Sequence, residues 1–283
     1  MTEIKVNKET KLSRAVLENS FIKYGELMTL LKKKDVKVNG KRVNKDISVR
    51  TGDIITLFDL PEKQLDLSEY FSPVYEDEKY FSNENIVLVD KNKGVNSDKL
   101  YEILKREKGE LYYIHRLDVN TDGLIVFAKN EAAEKELSDG FKNHSFEKYY
   151  YALCYGAFAK KSGILEDYLI KDAEGSEVKI YKEKRPGAVK IVTGYEEVER
   201  GEKTSLLKVR LYTGKTHQIR AHLAFYGHFI VGDYKYGDGE TNRSLNVKKQ
   251  QLTSCSITFF FNGGTLSYLD KKTFSLSRRP EVI

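Results

Sequence analysis

Residues 112–130 read YYIHRLDVNTDGLIVFAKN, a polar turn that runs straight into five consecutive apolar residues. The run at 124–128 is short, rich in β-formers and bounded by Gly123 and Lys129, the pattern of a strand buried on both faces. An aspartate beside an arginine on a turn is commonly a surface Asx turn and nothing more. Three neighbours change that reading here. His115 and Arg116 bring hydrogen-bond donors to the turn that carries Asp118, Thr121-Asp122-Gly123 adds a second polar turn, and the buried strand anchors both. Asp118 is therefore expected at the rim of a core, where sites gather.

Outward from this strand, apolar β-type runs recur at residues 86–89, 149–155, 206–212 and 257–261. The clearest helix is 131–141, with Asn130 placed to cap it. Strands outnumber helices. The expected architecture is α+β, a mixed, largely antiparallel sheet with helices beside it, over residues 74–283.

Residues 1–60 have their own pattern. Leu12, Val16 and Leu17, then Leu27, Leu30 and Leu31, recur at helical spacing, and VKVNGKRV follows with Asn39-Gly40 as a tight hairpin turn. A further strand, IITLF, closes a small α/β unit. Lys32, Lys33, Lys34, Lys37, Lys41, Arg42 and Lys45 face a single acid, Asp35, across residues 32–45. The helix-to-hairpin placement collects these charges on one edge, which favours phosphate contact over a merely solvated surface. This segment resembles the small RNA-binding domain named after ribosomal protein S-four, in its helix-helix-hairpin order, its VKVNGKRV pattern and its closing GDIITL. Residues 61–73 are polar, contain prolines and show no period, and are expected to be a linker.

Composition narrows the class without choosing a function. The 283 residues suffice for a large and a small domain, and 48 Lys+Arg against 42 Asp+Glu permit a nucleic-acid partner without requiring one. Cys154 and Cys255 stand far apart, outside any Cys-x-x-Cys, so neither disulfide framework nor zinc site is expected. There is no long apolar run and no signal-peptide core, so a soluble, cytoplasmic chain without membrane contact is expected.

Two more stretches bear on chemistry. In LYTGKTHQIRAHL a strand stops at Gly214 and a helical stretch follows with Lys215, His217, Gln218, Arg220 and His222. Lys215 and Arg220, five apart, do not share one helical face, so at least one should point inward. His217 and His222 are also five apart, not the four that puts two ligands on one face, and no metal site is expected. In EKYYYALCYG, Tyr149 and Tyr151 share one side of a strand and Tyr150 takes the other.

Together these segments resemble the RluA family of RNA pseudouridine synthases. HRLDVNTDGLIVFAKN matches its HRLD, turn and strand; EKYYYALCYG its Lys-x-Tyr-x-Ala; LYTGKTHQIRAHL its Thr-Gly-(Arg/Lys)-x-His-Gln-Ile-Arg; and VGDYKYG its Gly-Asp-x-x-Tyr-Gly. The resemblance implies the pseudouridine synthase fold and an isomerase that needs no cofactor. It implies Asp118 as the catalytic carboxylate, Tyr150 as the ring on the flipped uracil, and Lys215 as the basic partner of Asp118. Arg116 and Arg220 are implied RNA contacts, with Lys32, Lys33, Lys34, Lys37, Lys41 and Arg42 in the amino-terminal domain. The implied substrate is large-subunit ribosomal RNA, with transfer RNA as the alternative, and the protein is expected to be a monomer. Two readings compete: a non-catalytic RNA-binding or ribosome-assembly protein on the same fold, and a metal-dependent nuclease built on Asp118 and Asp122. Two departures stand out, Asn92 where the family has proline, and Leu252-Thr253-Ser254 where it often has Leu-His-Ala.

Overall fold

The computed structural model describes residues 2–20, 22, 24–58, 67–76, 79–172 and 177–283. It divides into two compact units, Met1–Asp66 and Leu67–Ile283.

The first unit runs β1 (Thr2–Lys5), β2 (Thr10–Lys11), α1 (Leu12–Asn19), α2 (Tyr24–Lys33), β3 (Val36–Val38), β4 (Lys41–Val43), β5 (Ser48–Val49) and β6 (Ile54–Leu57). Its main sheet has the order β1-β6-β3-β4. Leu12, Val16, Leu27, Leu30 and Leu31 from the helices bury against Val36, Ile55 and Leu57 of that sheet. Asn39 and Gly40 both take positive φ, 49° and 78°, as a two-residue hairpin turn demands. Helix α1 has no cap from Lys11; the Asp46 carboxylate instead accepts from the Ser13 backbone N–H at 2.8 Å and from its hydroxyl at 2.7 Å. The strand β1 is unannounced in the sequence, because Ile4 is buried between the exposed Glu3 and Lys5.

The second unit begins with β7 (Phe71–Pro73), β8 (Tyr75–Glu76), β9 (Lys79–Tyr80), β10 (Ile86–Lys91), α3 (Ser97–Lys108), β11 (Tyr112–Tyr113) and β12 (Asp122–Ala128). There follow α4 (Glu131–Lys142), β13 (Glu147–Tyr155), β14 (Ser162–Lys171), β15 (Val178–Tyr181), β16 (Val189–Arg200) and β17 (Thr204–Leu211). The unit ends with α5 (Gln218–Phe225), α6 (Gly239–Ser244), β18 (Leu252–Thr258) and β19 (Thr273–Ser275). Among the described residues one sheet of eleven strands runs β15-β14-β16-β17-β13-β18-β12-β10-β7, with β11 on β12 and β19 on β18. Its pairings are antiparallel except that of β12 with β18. Val87, Val89, Ile125, Phe127, Ala152 and Val209 fill one core layer, and Leu88, Leu124, Val126, Leu137 and Phe146 fill another. No helix among the described residues is long and apolar enough to cross a membrane.

Two sequence expectations differ from the structure. Residues 59–66 of the expected linker region lie outside the described residues, but Leu67–Glu69 is a 3-10 turn and Phe71–Pro73 is an edge strand on β10. Three residues are too few for a period to show, and the buried Phe71 holds them. The strand expected at 257–261 starts at Leu252, because Thr253, Ser254 and Ser256 are buried polar residues that carry no apolar signal. Strands β14 and β16 alternate buried and solvent-facing residues with many charges, which masked them. Helix α3, capped by the Asn96 side chain, was not expected either.

Both cysteines are free and buried. Close contact between β12 and β18 depends on Gly123, which holds φ at 111° and would carry any Cβ to 2.2 Å from the Ser254 carbonyl oxygen. Replacing Gly123 by alanine should therefore lower stability by roughly 2–4 kcal/mol through strain and clash together. Urea denaturation checks this, and an unchanged midpoint would show that the two strands can part freely.

Candidate active site

Asp118 follows Leu117, whose backbone N–H and carbonyl both bond the Ser97 hydroxyl at the start of α3, at 3.1 and 2.8 Å. Beyond it, Lys91 at the end of β10 is fully buried and donates to the carbonyls of Val95 at 2.8 Å, Asn92 at 3.2 Å and Val119 at 3.3 Å. Burial pushes its ammonium down to about 8, with Asp122, Asp118 and Asp90 opposing. One lysine thus ties the loop after β10 to the turn bearing Asp118. The departure at Asn92 has a use in this loop: its backbone N–H donates to Tyr70 at 2.9 Å and its side-chain amide to Ser68 at 2.7 Å, neither of which a proline could do.

His115 is structural. Its Nε2 accepts from the Val126 N–H at 3.1 Å and its ring stacks on Phe141, so burial pushes it down to about 3 and it stays neutral. Asp122 faces other partners, the Thr253 hydroxyl at 2.9 Å and Arg278 at 3.0 Å. Arg116 stands exposed at the cleft mouth. The cleft itself, about 560 Å³, is lined by Asp118, Tyr150, Lys215, His217 and Arg220 among others.

The opposite wall is built by the turn between β17 and α5. Gln218 locks it with every polar atom engaged: its oxygen accepts from the Thr213 hydroxyl at 2.9 Å and the Lys215 N–H at 3.1 Å, and its amide donates to the Val192 carbonyl and the Thr193 hydroxyl. Burial keeps His222 neutral, so its single N–H, at Nε2, donates to the carboxylate of Asp167 at 2.9 Å and the bare Nδ1 accepts from the Thr193 hydroxyl at 2.9 Å. His217 sits in the left-handed region, φ 53°, which ends the turn and starts the helix. Tyr236 accepts from the Val178 N–H and is free to donate to His217 Nδ1 at 2.9 Å, leaving Nε2–H toward Asp118 at 3.7 Å. The two histidines thus serve separate partners.

The cation on Asp118 is Arg220, not Lys215. Arg220 Nη1 donates to Asp118 Oδ2 at 2.7 Å, while Nε and Nη2 grip Asp233 at 2.7 and 3.0 Å. The backbone N–H groups of Lys235 and Tyr236 donate to the same Asp233. Burial alone would raise the Asp233 carboxyl, but the Arg220 bonds and charge and these N–H groups outweigh it and hold it below the usual carboxylate range. Lys215 precedes the left-handed residue and remains exposed, whereas Arg220, one turn into α5, points inward. Asp233 lies in the VGDYKYG motif, whose Gly-Asp signal marked it without revealing what it held.

Tyr150 is the inward tyrosine of β13, 7% exposed, and burial pushes its phenol up to about 12. Tyr149 and Tyr151 are half-buried, with Lys208 and Arg210 over the Tyr149 ring.

Residues 30–225 match the family model described as RNA pseudouridylate synthase. The uncharacterized RNA pseudouridine synthase MG370 of Mycoplasma genitalium is 31% identical over 275 residues, 88% of this chain and 83% of that protein. The dual-specificity RNA pseudouridine synthase RluA of Vibrio vulnificus is 31% identical over 192 residues, 64% of this chain and 76% of its own. Ribosomal large subunit pseudouridine synthase C of Vibrio parahaemolyticus is 25% identical over 225 residues, covering 74% and 70%.

The Asp233 bond set makes a pH-dependent expectation. A carboxyl held low adds stability above the unfolded aspartate value near ~3.9 and loses it as pH falls through its folded value. Asp233→Asn should cost roughly 2–4 kcal/mol at pH 7, and the gap from wild type should close only in strong acid, below about pH 4. Paired urea titrations at neutral and acid pH measure this; a gap independent of pH would mean that the asparagine loses shape and not charge.

Proposed function

The chain belongs to the RNA pseudouridylate synthase family, and we propose that Asp118 is the essential carboxylate of this RNA isomerase, with Arg220 as its paired cation and Tyr150 as the ring against the flipped uracil. The observation that carries the assignment is the 2.7 Å bond from Arg220 to Asp118 inside the cleft that Tyr150 lines. The reaction breaks the glycosidic N–C bond, turns the uracil and rejoins it through carbon 5, which loses its proton while the freed ring nitrogen gains one. One carboxylate serves it either by attacking carbon or by removing a sugar proton, and both routes need an anion. A guanidinium clamped by a second carboxylate supplies the counter-charge in a fixed direction. Tyr150, protonated at neutral pH, stacks on the base and carries a proton. Arg116 at the mouth takes the place the flipped base leaves in its stack.

Residues 1–60 act in this reading as an RNA-binding domain of the S-four type and residues 74–283 as the catalytic domain of a cytoplasmic monomer. Large-subunit ribosomal RNA is the substrate we favour. Its support is the exposed edge of Lys32, Lys33, Lys34, Lys41 and Arg42, with Lys37 half-buried beside it, together with the domain order and a relative named for the ribosomal large subunit.

Asp118→Asn should fold and bind RNA yet lose at least about 1,000-fold in turnover, because the amide keeps the shape without the anion. Tritium release from RNA labelled at uracil carbon 5 is the readout, and turnover close to wild type would remove Asp118 from its role. In the full chain, replacing Lys32, Lys33, Lys41 and Arg42 together by glutamine should weaken RNA binding and flatten the plot of log affinity against log salt by about 2–4. An unaltered salt slope would leave the basic edge as solvated surface only.

A further inference from the structure

The second unit buries three cations among its described residues, and one of them lacks what the other two have. Lys91 is fully buried on three carbonyl oxygens, and Arg220, 8% exposed, is held by two carboxylates. Lys148 is 7% exposed, and among the described residues its ammonium has the Phe141 ring at 5.0 Å and no carboxylate or carbonyl partner. Burial lowers its pKa with no acid nearby to oppose the shift. A buried lysine is ordinarily paired. This one lines the cleft instead, and Gly214 opposite keeps the approach open, since even an added Cβ would stand 4.0 Å from Nζ.

The cleft lining carries five cations, Arg116, Lys142, Lys148, Lys215 and Arg220, against one carboxylate. His144 and Lys215 line the same cleft, and Lys215 follows Gly214, the residue whose Cβ position lies 4.0 Å from Lys148 Nζ. The one carboxylate in the cleft lining, Asp118, is already bonded to Arg220. Lys148 also sits two residues from Tyr150 on the same face of β13, which separates them by about 6.6 Å along the strand. A nucleotide stacked on Tyr150 would therefore bring its backbone, not its base, to this end.

We propose that Lys148, with Lys215 and His144, forms a subsite for an RNA phosphodiester adjoining the target nucleotide. The inference rests on the reading of Asp118 and Tyr150 given above. Lysine suits the role as a point charge for phosphate. Lys215 thereby has a function, while Asp118 is paired with Arg220. Positioned so, the phosphate fixes which way the flipped nucleotide enters.

The test uses the full chain with RNA tritiated at uracil carbon 5, and the variants Lys148→Met, Lys148→Arg and Lys215→Gln. Lys148→Met and Lys215→Gln should each raise KM about tenfold while kcat stays within about twofold, the loss of one charge-assisted contact. Each should also flatten the log affinity against log salt plot by about 0.7–0.9, and Lys148→Arg should restore most of the slope. Unchanged KM and salt slope in Lys215→Gln, which is exposed and cannot fail for want of folding, would overturn the subsite. So would a fall in kcat at saturating RNA with affinity kept, which would put Lys148 in the chemistry. Were wild type to release no tritium, the assignment of Asp118 would fall, while the salt slopes would still decide the subsite.

Discussion

Arg220 is the interaction on which the site depends. A planar guanidinium spends two donors on Asp233 and a third on Asp118, and Asp233 is itself pinned by two backbone N–H groups. The carboxylate in the cleft is thus aimed by a chain of bonds that ends in main chain. Burying the charges of Arg220 and Asp233 costs several kcal/mol of hydration each, so the pair adds little net stability compared with apolar packing, while removing either partner alone is expensive. What the arrangement secures is direction. Lys91 supports the same turn from the other side through the Val119 carbonyl, so neither the backbone nor the carboxylate of the turn can drift.

The sequence motifs marked residues that line one cleft, Asp118, Tyr150, Lys215 and Arg220, but not which of them bond to one another. A polar turn beside a buried strand put Asp118 at the rim of a core, whereas the choice of Tyr150 among three tyrosines came from the family resemblance. Whether Lys215 or Arg220 reaches Asp118 is decided by one left-handed residue, His217, which ends the turn and sets the phase of α5. Helical spacing showed only that one of the two cations had to turn inward. Gln218 and the Thr193, His222 and Asp167 chain behind it were out of reach for a different reason. Their partners lie 25 to 55 residues apart in sequence, and no spacing rule reports a bond between a helix and two distant strands.

The fold shows the same boundary between local and non-local. The hairpin at Asn39-Gly40 and the capped helix α4 could be read because turn and cap chemistry act within a few residues. The start of strand β18 could not, since Thr253 and Ser254 are buried for their bonds to Asp122 and Leu124 and not for hydrophobicity. The departure from proline at Asn92 is the clearest instance. Its meaning lies in the carbonyls of Ser68 and Tyr70, in a segment whose own pattern looked like a connector.

The two buried cysteines turn the sheet into its own clock. Cys154 lies on β13, four residues beyond Tyr150, and Cys255 on the neighbouring β18. Burial pushes both thiols up, Cys255 to about 12, so neither offers thiolate or access to an alkylating reagent in the native state. Modification must wait for the strands to separate. The rate of cysteine alkylation in dilute iodoacetamide therefore reports how often the centre of the sheet opens, molecule by molecule, without any label being introduced.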